Sequence, residues 1–158
     1  MNPSPAAPLQ TCLLAETVAV RRYAQLLEDE AAALTEAQAF DALGEITDGK
    51  NQIAAELATL GERRNAILAD LGLASDHAGT DAAVVAHPEL APTWRTLLAD
   101  VAQARELNQR NGTLLEVHMR HVQHSLDALR SVTGKTGLYD AQGRSATAPG
   151  AGKSIVAG

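Results

Sequence analysis

LNQRNGTLLEVHMRHVQHSLDALR, residues 107–130, places apolar side chains at alternating steps of four and three: Leu115, Met119, Val122, Leu126 and Leu129. At 100° per residue they fall within about 40° of a common line, the pattern of a helix packed along a seam. Carried backwards, the line adds Leu97, Val101, Ala104, Asn108 and Asn111, so two asparagines are expected in the seam with Gly112 beside them. The segment predicts one long helix from about Pro92 to Val132, ending before Gly134. Asparagines in such a seam set register, because misaligned they face apolar side chains unpaired; the alternative is direct contact with a partner. Gly112 costs about 1 kcal/mol against Ala and permits a close backbone approach, a bend or a break. Leu107, Leu114 and Val132 lie to one side of the seam, which makes the apolar face wider than one partner helix requires and marks a candidate docking face.

The same spacing occurs twice more towards the N-terminus. Leu13, Thr17, Val20, Ala24, Leu27, Ala31 and Leu34 predict a helix over roughly 9–38, and Ile46, Lys50, Ile53, Leu57, Leu60, Arg64, Ile67 and Leu71 predict a second, stopped by Gly72. The joint at Ala39-Phe40-Asp41 is too short for any return path except an antiparallel hairpin. Lys50 and Arg64 interrupt the second seam, and their stems are expected along the apolar stripe with the charges at its edge. Residues 73–87 read as a loop with a short helix begun by Thr80 or Asp81, and Pro88 or Pro92 opens the last helix. The expected organisation is therefore an unstructured Pro-rich start over 1–8, a helical domain over 9–133 and a flexible tail over 134–158. The fold class is all-α, an elongated three-helix bundle with a short connecting helix.

Composition agrees with that class. Of 158 residues 46% are hydrophobic and only 3% aromatic, which favours helices over half-buried sheets. A net charge of -6 gives no electrostatic reason to approach nucleic acid or an anionic membrane. Cys12 is the only cysteine, so no intramolecular disulfide forms, and no segment approaches the ~18 apolar residues of a membrane span. A cytoplasmic setting without membrane insertion is the expectation. The tail holds six of the twelve glycines and carries Lys135, Arg144 and Lys153 against Asp140.

Catalytic readings are weak. His118, His121 and His124 step by about 60° around the helix, so the outer two point about 120° apart and do not converge on one metal ion. Cys12 has no neighbouring base, Glu28-Asp29-Glu30 reads as solvated surface, and the GAGK at 150–153 lacks the strand and helix of a phosphate loop. No enzyme activity, cofactor or metal is expected.

Asn108-Gln-Arg-Asn111-Gly112, followed by Leu114-Leu115 and then by Gly137-Leu138-Tyr139-Asp-Ala-Gln-Gly143, resembles the FlgN family of flagellar export chaperones. That family has an N-x-x-N-G step in its final helix, an L-Y-x-x-x-G element and a basic tail ending in small and aliphatic residues, here Lys153-Ser154-Ile155-Val156-Ala157-Gly158. This chain departs from it by its Pro-rich start and a tail with fewer arginines. The resemblance implies a cytoplasmic chaperone without ATPase activity, a monomer or weak dimer. Its partners would be the C-terminal amphipathic helices of hook-filament junction (hook-associated) proteins, the export gate platform and the export ATPase complex. Leu138, Tyr139 and Gly143 would meet the platform. Leu107, Asn108, Asn111, Leu114, Leu115, Met119, Val122, Ile155 and Val156 are the cargo candidates. A structural coiled-coil oligomer without cargo is the alternative reading.

Overall fold

A computed structural model describes residues 2–36 and 40–133. Four α-helices and one 3₁₀ turn, Pro88–Leu90, make up its regular structure: α1 Ala7–Thr35, α2 Phe40–Asp70, α3 His77–Ala86 and α4 Ala91–Thr133. The all-α class is as the composition and seams indicate. By internal contacts the chain divides after Leu115 into two compact units.

In the first unit α1 and α2 form the antiparallel hairpin. Cys12 Sγ lies 3.4 Å from the Leu60 carbonyl, Arg22 meets Glu56 at 3.0 Å, and Lys50 meets Glu30 at 2.8 Å. The first part of α4 runs parallel to α1: Gln10 bonds Thr93, Arg21 pairs with Asp100, and Arg110 pairs with Glu28. Burial of Leu9, Leu13 and Val20 of α1 against Leu68, Ala83, Leu90, Trp94 and Leu97 forms the core. Removing a fully buried leucine such as Leu13 or Leu68 from it costs about 2–5 kcal/mol.

Local chemistry fixes the helix ends. Pro8 falls in the first turn of α1, where a missing N–H costs nothing, so the helix starts two residues before the expected position near residue 9 and Ala6 is already in the core. Gly72 ends α2 at φ +72° while the Leu73 N–H returns to the Leu68 carbonyl at 2.9 Å, the closure that favours glycine. The short helix begins at His77 rather than near Thr80, because Asp76 accepts the Gly79 N–H at 2.8 Å and caps it.

α4 is the single long helix expected of this segment, but its seam is corrected. The helix continues through Gly112 without a break, and a Cβ there meets nothing within 4 Å, so no close backbone approach explains that glycine. Its inward face departs from regular alternation. The residues turned inward include Trp94, Leu97, Val101, Ala104, Leu107, Asn111 and Leu114, with two successive steps of three on either side of Ala104. Leu107 is therefore core, 8% exposed, and Asn108 faces solvent. A second step of three locally overwinds the seam, and burying a leucine in place of an asparagine is the favourable outcome.

Candidate partner-binding site

Three helices of the first unit meet at one carboxylate. Glu30 of α1 accepts from Asn111 of α4 through Oε1 at 3.0 Å and from Lys50 of α2 through Oε2 at 2.8 Å. Asn111, 2% exposed, also donates to the Leu27 carbonyl at 2.6 Å, while its buried Oδ1 has no hydrogen-bond partner among the described residues. That geometry places Asn111 inside the bundle, where it ties α4 to α1.

A second tie lies nearer the other end of the hairpin. Arg64 meets Glu16 at 2.6 Å, and its guanidinium stands 5.8 Å from the centre of the Trp94 ring. Lys50 and Arg64 thus carry their charges to acidic partners on α1 rather than to the stripe's edge. Glu16 and Glu30 are fourteen residues apart, as are Lys50 and Arg64, so both pairs specify one antiparallel register two heptads long. Burial raises the Glu16 carboxyl above its ordinary value, and Arg64 acts against that rise. The same burial, with the Glu16 charge, raises the Cys12 thiol, which suits a packed and unreactive cysteine. Trp94 closes the cluster by donating to Asp81 at 2.8 Å and packing its ring, tilted by 55°, against that of His77 with the centres 4.9 Å apart.

Among the sequence candidates for cargo contact, Leu107 and Asn111 are buried, Leu114 is half-buried, and Asn108 is exposed. Leu107 thus lies in the bundle interior. Leu115, at the end of the first unit, is exposed. Leu138, Tyr139, Gly143, Ile155 and Val156 lie outside the described residues.

The second unit, described over 116–133, carries the apolar stripe that remains. Met119, Val122, Leu126 and Leu129 recur at steps of three, four and three, and each is between 42% and 63% exposed. Val132 is exposed as well. Polar neighbours on this segment bond one another, Gln123 to Asp127 at 3.0 Å and Arg130 to Asp127 at 4.0 Å, and leave the stripe bare. Four large apolar side chains in one line on a soluble surface are the pattern that a partner covers. His118 is half-buried, and no group of three or more metal-ligating side chains occurs among the described residues. Nor is any described helix long and apolar enough to cross a membrane.

Sequence reading missed a groove in the first unit, lined by Val20, Leu57, Trp94, Val101 and Arg105, of about 390 Å³ with an adjoining space of about 190 Å³. No periodicity announces it, because its lining is shared among three helices, α1, α2 and α4.

Fold and surface together define a small all-α bundle protein that presents an apolar helix face exposed among the described residues. The chain belongs to the FlgN family: the family model described as FlgN protein matches residues 5–147. It is similar to the Flagella synthesis protein FlgN of Proteus mirabilis, 31% identical over 116 residues, or 73% of this chain and 70% of that one. No solved structure matches the chain.

Proposed function

We propose that this protein is a flagellar export chaperone that binds the C-terminal amphipathic helices of hook-filament junction proteins and delivers them to the type III export apparatus. The observation that carries the reading is the exposed stripe Met119, Val122, Leu126 and Leu129, whose alternating spacing suits the apolar face of another helix. Family membership supplies the flagellar context. The chaperone acts by binding in the cytoplasm, without a cofactor or a catalytic step. It holds aggregation-prone helices until the export gate platform and the export ATPase complex receive them.

The Leu138-Tyr139 pair, with Gly143, is the proposed contact with the platform, since a tyrosine beside a leucine offers large apolar area at low entropic cost and one hydroxyl for orientation. Ile155 and Val156 are proposed to add to cargo binding. Tyr139→Ala should leave helix content and cargo co-elution unchanged while weakening platform capture and slowing junction-protein secretion. Loss of co-elution would assign Tyr139 to cargo instead. A regular apolar stripe also suits self-association in a structural oligomer, and size-exclusion chromatography separates the two. A chaperone is a monomer or weak dimer that shifts to a complex with cargo, whereas a structural oligomer survives dilution and ignores cargo.

A further inference from the structure

The groove of the first unit is independent of the stripe on the second. Its floor is Val20 of α1, and its walls carry Leu57 and Gly61 of α2 and Val101 and Ala102 of α4. Gly61 and Ala102 hold those walls low, and a Cβ at Gly61 meets nothing within 4 Å, so packing inside this chain does not require a glycine there. Small side chains on walls above an apolar floor let another helix backbone approach closely.

Charge then selects the occupant. Glu16 is taken by Arg64, and none of the ion pairs among the described residues includes Arg105. Beside the same space the buried Arg64 Nε has no acceptor among the described residues. A chain of net charge -6 therefore holds an apolar groove whose uncompensated charge is positive. Residues 134–158 of the same chain carry three cations against one aspartate, the wrong sign to fill it.

We infer that this groove is a second docking seat, taking an amphipathic helix of a partner protein whose apolar stripe is flanked by carboxylates, one of which pairs with Arg105. Apolar burial supplies affinity, and the carboxylate chooses partner and register.

Trp94 lines the groove and is the only tryptophan, so its fluorescence in the full-length chain reports occupancy. The probes are two acetylated synthetic helices of about five turns with identical leucine stripes, one flanked by Glu and the other by Lys. The Glu peptide should shift Trp94 emission saturably, and Arg105→Ala should weaken it about threefold to fivefold without lowering the melting temperature. Arg105→Glu should reverse the preference in favour of the Lys peptide. The Leu126→Glu variant, altered only on the stripe, should bind the Glu peptide as wild type does. Equal binding of both peptides, indifference to Arg105, or no saturable signal overturns the inference. So does loss of binding in Leu126→Glu, which would seat the peptide on the stripe, or a dimer that Arg105→Glu dissolves, which would make a second copy the occupant. Only the Leu126→Glu result bears on the stripe; the Arg105 results test the groove alone.

Discussion

The side-chain amide of Asn111 donates to the backbone carbonyl of Leu27 across 2.6 Å, joining α4 to α1 between residues 84 positions apart. With the Glu30 contact, it spends both amide protons inside the bundle. Asn111→Ala should therefore lower stability by about 1–3 kcal/mol, because the Leu27 contact is lost and the Glu30 carboxylate keeps only Lys50. Asn108→Ala, on the exposed side of the same helix, should stay within about 0.5 kcal/mol of wild type. Paired urea melts check both. Equal effects would mean that the seam alternates regularly through Asn108.

Glu16 should give the protein a measurable dependence on pH. Its carboxyl is raised from the ordinary 4.5 by burial, so between that value and the raised one the folded chain holds a proton that the unfolded chain has released. Stability from this group is fully present below the ordinary value and is lost as pH rises through the raised one. Glu16→Gln removes the titration. The melting temperature of wild type minus that of the variant should therefore fall as pH is raised from about 4 to about 7. A difference that grows over this range would show that Arg64 outweighs burial.

Two helical glycines should respond oppositely to alanine. A Cβ on Gly79 runs into the backbone carbonyl of Ala74, which cannot yield as a flexible side chain does, so Gly79→Ala should cost about 1–3 kcal/mol. Gly61 has open space at its Cβ, and Gly61→Ala should stabilise α2 by up to about 1 kcal/mol. Thermal melts of the two variants decide.

The hairpin was legible because three runs of alternating steps and a short joint leave one topology. Its register was written there too, in two acids and two cations each fourteen residues apart, but reading Lys50 and Arg64 singly as edge residues hides it. The double step of three around Ala104 was not legible, since Leu107 and Asn108 are adjacent and only packing against α1 decides which turns inward. Asp76 could have been recognised as a cap from its spacing to Gly79; Thr80 and Asp81 drew attention from it. Of the site, sequence marked Met119 and Val122 correctly as apolar positions, yet a seam looks the same whether another helix covers it or not. Their exposure is a fact of the fold.

The central claim, that the stripe of the second unit receives a cargo helix, is tested most directly by calorimetric titration of the full chain with a hook-filament junction protein's C-terminal peptide. Wild type should bind it saturably, one to one. The double variant Met119→Glu with Leu126→Glu should bind at least about tenfold more weakly while keeping helix content and melting temperature, because both side chains are exposed. Binding of undiminished strength by a folded double variant would contradict the account.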